Sequence, residues 1–456
     1  METMSNFRPI NRETGFLLPP SVDEWLPQRH LARFVVEVVD ELDLSEIVKE
    51  YRGTGSASYH PAMLLSLLVY GYASKVFSSR ALERATYDSV AFRFIAGNEH
   101  PDHDTIAAFR KRFLGQIESL FLDVLRLARA MGMLKLGTVA LDGTKVHANA
   151  SRHSALSYGH AKKIEKELKR EVKQLLQLAE QADARDVPDG MSIPAELERR
   201  EERLAAIAEA KVKIEARAQE RFEQEQSEHQ SKLAARAEKE KRSGKKTRGF
   251  PPGPPTGGVR EQDQINLTDD DSRIMKVPGG HYEQCYNAQA LVATGSLLIV
   301  ANAVTQAAND KEQIVPMVEK IQALPKELGR VRRILADAGY LSEVNVERCE
   351  AAKIEPLIAA GRQKHYVSWK QRFAAAPRPL PGSATPLQRM AHRLKTPRGR
   401  KLYAMRKHTP EPVFGIIKSV MGYRQCLLRG LENVQGEWNL VAMSWNIKRM
   451  FGLQTA

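Results

Sequence analysis

Cysteine is scarce in this chain: only Cys285, Cys349 and Cys426 occur, far apart and in no CxxC pair. That scarcity excludes a disulfide scaffold and a thiolate zinc site, and it suits a reducing cytoplasm. Long apolar runs are missing as well, none approaching the roughly 20 uncharged residues a membrane span requires. The opening METMSNFRPINRETG lacks the apolar stretch of a secretory signal, so a cytoplasmic chain with no membrane partner is expected. What is present is ample apolar content, 42% of 456 residues, enough for a well-buried interior divided between two or three domains.

Acidic residues are absent from one long stretch. From Arg362 to Lys407 there are 13 Lys or Arg and no Asp or Glu, which nearly accounts for the net charge of +14. A second basic cluster, Lys239, Lys241, Arg242, Lys245, Lys246 and Arg248, follows a charge-balanced helical stretch. Concentrated positive charge fits a polyanion, because neutralising phosphates releases counterions. Charge alone does not separate DNA from RNA or an anionic membrane, and a solvated basic loop has the same composition.

Residues 1 to about 135 read as helical. PAMLLSLLVYGYASK opens on Pro61, whose missing N–H costs nothing in a first turn. SSRALERATYD begins with a serine cap. After the turn-rich AGNEHPDHD, a long helix is expected from Asp104 or Thr105, with Ile106, Phe109, Phe113, Ile117, Leu120, Val124 and Leu127 on one stripe. Short helix, turn and a helix bearing Arg110, Lys111 and Arg112 are compatible with a helix-turn-helix reader, and equally with a packing or dimerisation domain.

GTVALDGTKVH then changes character: Thr138 to Leu141 form a buried strand expected to end on Asp142 and Gly143. From about 160 to 242, stripes through Ile164, Leu168, Val172, Leu175 and Ala179 and through Leu197, Leu204, Ile207 and Ile214 predict two long helices, a hairpin or coiled coil broken at DARDVPDGMSIP. GFPPGPPTGG is a linker outside both. Strand periods return in CYNAQALVAT and SLLIVANAVT, a hairpin in which Asn287 and Gln289 alternate as an exposed face. KEQIVPMVEKIQAL is a helix, VRRILADAGY a strand ending in Asp337, SEVNVERCEAAK a helix, IEPLIAAG a strand, and EPVFGIIKSVMG a helix. LENVQGEWNLVAMSWNIKRMF closes the series as an amphipathic helix, giving α/β with a mixed sheet.

Two apolar strands thus deliver an Asp each, in ALDGT and LADAG. Carboxylates pointing from a rigid sheet suit Mg²⁺, which takes hard oxygen ligands and keeps waters for a phosphate to replace. Two such ions can activate an attacking oxygen and stabilise a leaving one. His147, close behind Asp142, is a structural histidine rather than a base, since metal-activated water needs none.

LDGTKVHANAS, DSRIMK, YNAQA, VTQAANDKEQ, ADAGYLSE and EPVFGIIKS…RGLE…EW, in this order, resemble the DDE transposases of bacterial insertion sequences, specifically the superfamily with a Tyr-Arg-Glu-Lys signature. PAMLLSLLVYGY and PDHDTIAAFR are similar to the helical domain in front of it. The resemblance implies an RNase H-like mixed-sheet catalytic domain over 136–455, interrupted by a helical insertion and linker over 155–260, behind a helical DNA-binding or dimerisation domain over 1–135. It implies Asp142, Asp337 and Glu411 as catalytic metal ligands for two Mg²⁺ or Mn²⁺ ions. Tyr403, Arg406 and Lys418 fall in the signature and would contact DNA; on the helix-turn-helix reading Arg110 and Arg112 would do so as well. Four residues rather than three separate Arg406 from Glu411, and Pro410 immediately precedes the glutamate. Lys418, seven residues beyond Glu411, is expected on the same helix face. DSRIMK, Asn287, Gln289, Asn309 and Asp310 also recur in the resemblance, without an assigned role.

The expected reaction is nicking of DNA at element ends and joining of the freed 3′ ends to target DNA. The partners are double-stranded terminal repeats and target, held by a homodimer in the nucleoid. Two rivals remain: a metal-dependent nuclease without strand transfer, and a transposase-derived DNA-binding protein that has lost catalysis.

Overall fold

The computed structural model describes residues 21–51, 58–182, 193–244, 246–247, 249–361 and 377–455. Its centre is a mixed sheet in the order β4 (Arg273–Lys276), β5 (Tyr282–Ala293), β1 (Thr138–His147), β7 (Arg333–Ala336), β8 (Glu355–Ile358). β1 is central because Val139, Ala140 and Leu141 are fully buried on both faces, the pattern of a strand covered on two sides. It runs antiparallel to β5 and parallel to β7. β6 (Ile299–Thr305) pairs with β5 along the edge that β4 uses further down, as the expected hairpin.

The helix Leu431–Gln454 departs from its expected amphipathic character. Every residue from Gly436 to Ile447 is buried, because the helix is sandwiched between β6 and the helices Pro61–Ala73 and Ile117–Ala130. A helix covered on every side belongs in an interior. The N-terminal helices and the sheet therefore share one contiguous core. Inside it Glu437 is fully buried and accepts hydrogen bonds from Tyr72 Oη (2.8 Å) and from the backbone N–H groups of Leu427 and Leu428.

The N-terminal caps follow the sequence signals. Pro61 stands in a first turn, Ser78 accepts from Ala81 N–H, and Asp102 accepts from Thr105 N–H. The long helix expected from Asp104 is instead two, His103–Arg112 and Ile117–Ala130, separated by a segment that contains Gly115. The apolar stripe continues across the break, so periodicity alone could not reveal it.

Between β1 and β4 the chain builds two long helices, Tyr158–Ala182 and Ile193–Ser243; the breaker at 183–192 lies outside the described residues. Pairs at Glu171–Arg200, Glu165–Lys211 and Tyr158–Glu215 show the helices running antiparallel. They share a small core of Leu156, Ala161, Leu168, Ile207, Ala210 and Ile214, closed by Ile265 of β3 (Gln264–Asn266). β3 pairs in turn with β2 (Ala155–Ser157). The Pro/Gly segment does not float free: Arg236 donates to the carbonyls of Gly249 and Phe250, and His229 Nε2 lies 3.0 Å from Pro252 O. Beyond the short core, the 51-residue helix extends to roughly 75 Å in total at 1.5 Å per residue.

Candidate active site

β1 does not stop at Asp142 but continues to His147, because β5 stays paired with it throughout. Its partner on the other side is shorter. β7 pairs only with Thr138 to Ala140, with Ala140 opposite Leu335. Two residues further on, Asp142 comes level with Asp337, the residue after β7 ends. Both aspartates thus stand just past the last β1–β7 pair, the Asp142 side chain 18% exposed. Asp337 also caps the tight turn that follows, its Oδ1 accepting from Gly339 N–H at 2.8 Å.

Glu411 arrives from the opposite end of the chain. It sits in the first turn of Pro410–Gly415, as Pro412 predicted, with its side chain 53% exposed. Arg406 connects it to the sheet: Nη1 lies 3.6 Å from Asp142 Oδ2 and Nη2 lies 3.2 Å from Glu411 Oε1. That guanidinium is only 13% exposed, and its Nε has no hydrogen-bond partner among the described residues. Tyr403 is buried against Ala140, Leu335, Leu357 and Ala359, forming the wall behind Asp142.

Asp142 is held under electrostatic stress. Burial, opposed by Arg406 and reinforced by Asp337 and Asp310, pushes its carboxyl up to about 7. A carboxylate so placed is stabilised in its ionised form by any cation that binds beside it. Among the described residues no three His, Cys, Asp or Glu side chains converge as a ready-made metal cluster; the Arg406 guanidinium lies between Asp142 and Glu411 instead. The donors themselves are carboxylate oxygens, the hard ligand type that divalent cations such as Mg²⁺ take.

The remaining candidates lie elsewhere. Lys418 is not aligned with Glu411 two turns along a regular helix, because the helix widens into a π-turn over Ile416–Val420. Its Nζ donates to Lys145 O on β1 at 2.6 Å, and burial lowers its pKa. Such π-turns re-aim side chains and often mark functional sites. Arg112 pairs with Glu50 at 2.9 Å. Arg110 turns inward, 8% exposed, donating to Phe77 O at 3.0 Å and lying 3.5 Å from Tyr72 Oη. There it ties the helix His103–Arg112 to Phe77 and Tyr72. His147 is tied through its backbone to Arg424 and Cys426.

Asn287 and Gln289 correct the expectation of an exposed face: both are 0% exposed. β5 is covered on that side as well, so alternation of polar and apolar residues marks buried polar groups, not solvent. Their partner is Asp310, and Tyr340 and Lys145 join the same neighbourhood. Their motifs were visible in the sequence, but nothing in the spacing showed that YNAQA and AND would meet.

Residues 20–112 match the family described as Transposase domain (DUF772), and residues 258–447 match the family described as Transposase DDE domain. No curated protein and no solved structure matches the chain significantly.

Proposed function

The chain belongs to the DDE transposases of insertion-sequence type, and we propose that Asp142, Asp337 and Glu411 are its catalytic carboxylates, acting on DNA ends with two Mg²⁺ or Mn²⁺ ions. The observation that carries this is the level placement of Asp142 and Asp337 at the end of the β1–β7 pairing, with Arg406 linking Asp142 to Glu411. In this reading residues 136–455 form an RNase H-like catalytic domain, 155–260 its helical insertion, and 1–135 a helical domain for DNA binding or dimerisation.

Bound metal would supply activated water and charge neutralisation at the phosphorus. The chain's own groups do the rest. The sheet fixes the two aspartates, so a phosphodiester entering beside them is positioned before reaction. Tyr403 closes the wall behind Asp142 and keeps bulk water from that side. Arg406, released from the carboxylates once their charge is answered, is free to take a DNA phosphate as a bidentate partner. In hydrolysis a water oxygen forms a P–O bond as the bond to the 3′ oxygen breaks, leaving a 5′-phosphate and a 3′-hydroxyl. That hydroxyl then attacks a target phosphodiester, forming one P–O bond as another breaks.

The basic surface offers the backbone contacts. Lys395, Arg398, Lys401 and Lys407 are exposed along the helices that lead into Glu411; part of the basic stretch, 362–376, lies outside the described residues. Two ends must be held together, which a homodimer achieves. The test is a joining assay with labelled element ends, unlabelled target and Mg²⁺. Label appearing in the target supports the transposase reaction, nicked product alone indicates a nuclease, and binding without either product indicates a chain that has lost catalysis.

A further inference from the structure

Polar side chains are linked by hydrogen bonds beside the two aspartates. Asp310, in the turn between β6 and the helix Ile314–Ala323, accepts on the single oxygen Oδ1 from Asn287 Nδ2 and from Gln289 Nε2, each at 2.7 Å. The orientation of the Gln289 amide is not free. Its Oε1 accepts the hydroxyl of Tyr340 at 2.5 Å, so its NH₂ must face Asp310; reversed, its oxygen would meet a carboxylate. Tyr340 stands in the tight turn that Asp337 caps.

On the other side the cluster presses against Gly143, the residue after Asp142. A Cβ there would stand 2.2 Å from Gln289 Nε2, 2.6 Å from Asp310 Oδ1 and 2.9 Å from Asn287 Oδ1. Only glycine permits this approach. One carboxylate is therefore packed against the backbone that carries Asp142 and linked, through Gln289 and Tyr340, to the turn that carries Asp337. Two buried polar atoms border the same place with no hydrogen-bond partner among the described residues: Asn287 Oδ1 and Lys145 Nζ. Lys145 faces Asn287 across the β1–β5 pair.

Both bonds end on a carboxylate oxygen, a stronger acceptor than an amide oxygen, so Asp310→Asn weakens both links while leaving the size of the side chain unchanged.

We propose that Asp310 is a positioning residue of the transposase reaction: its carboxylate gathers Asn287, Gln289 and Tyr340 into a clamp that holds Asp142 and Asp337 level. This rests on the function proposed above. The clamp acts through the backbone of Gly143 on one side and the Asp337–Tyr340 turn on the other.

The experiment compares the full chain with Asp310→Asn and Tyr340→Phe in three measurements: thermal melting, Mn²⁺ binding by calorimetry, and the kcat and KM of element-end cleavage. Asp310→Asn is expected to weaken Mn²⁺ binding about tenfold or more, as loss of groups supporting metal ligands does. It should also lower kcat roughly 100-fold with KM for DNA little changed, the effect of a misplaced reacting group. Melting should stay near that of the parent. Tyr340→Phe keeps the ring and removes one link, so a smaller loss in the same two readouts is expected. Parental Mn²⁺ affinity and kcat in Asp310→Asn, with Asp337→Ala inactive, overturns the inference and leaves the function standing. A melting loss that accounts for the whole effect, with Tyr340→Phe behaving as the parent, also overturns it. A parent chain that neither binds Mn²⁺ nor cleaves removes both readings together.

Discussion

Asp142 is where the physical chemistry is sharpest. Its carboxyl is pushed up to about 7 in the folded chain, chiefly by burial, against an ordinary value near 3.9 in the unfolded chain. The fold therefore holds the ionised form less well than the unfolded chain does, so metal-free stability is lost as pH rises from about 4 towards 7 and falls no further above that. Asp142→Asn removes this penalty. In a chelator at pH 8 the variant is expected to melt above the parent, by a difference on the order of a few kcal/mol, with the gap shrinking as pH falls towards 4. A gap of constant size across that range contradicts the account. Mg²⁺ should raise the parent's melting temperature and leave the variant's nearly unchanged, because the cation stabilises only an ionised carboxylate.

Gly143 gives a second prediction at this scale. Gly143→Ala drives a methyl into Gln289, Asp310 and Asn287, so a stability loss of about 1–3 kcal/mol is expected from overpacking. Denaturant unfolding measures it, and a neutral substitution would mean that this cluster yields easily.

At the scale of elements, much was legible in the sequence. The strands carrying ALDGT and LADAG, the hairpin of β5 and β6, and the helix starting at Pro410 follow from apolar runs, alternation and Pro placement. The rest was hidden for identifiable reasons. The strand β1 outlives its apolar run because β5 continues to pair with it. The break after Arg112 leaves the apolar stripe intact. The closing helix reads as amphipathic, since Asn439 and Asn446, seven residues apart, look like a polar face until the buried partners are seen. Asn446, for example, exchanges hydrogen bonds with the backbone of Ile299. Side-chain partners far apart in sequence are the information that composition and period do not hold; Arg406 between Asp142 and Glu411 is the clearest case.

That closing helix carries its own test. Glu437 is buried with Tyr72 as one of its donors, and burial raises its pKa despite them. Tyr72→Phe removes one donor from this carboxylate and should cost about 1–3 kcal/mol. Denaturant unfolding should report the loss over the whole transition, since the N-terminal helices share a core with the sheet. A separate early transition with an undisturbed main one would show that they unfold independently.

Over the whole molecule the charge balance governs the encounter with DNA. With 69 Lys and Arg against 55 Asp and Glu, binding should weaken steeply as salt rises, because each neutralised phosphate releases counterions. Replacing Arg398 and Lys401, both exposed, by Ala should flatten the dependence of log affinity on log salt by about 2. An unchanged slope would place the DNA on another face.

The central claim is that three carboxylates, brought from β1, the end of β7 and the helix at Pro410, work as one site. Cleavage of labelled element-end DNA in Mg²⁺ tests it most directly, using the parent, Asp142→Asn, Asp337→Asn and Glu411→Gln, with DNA binding measured alongside. The account predicts that each substitution alone drops cleavage to the same floor while binding persists. Parental cleavage by any one of the three variants would remove that residue from the site and contradict the account.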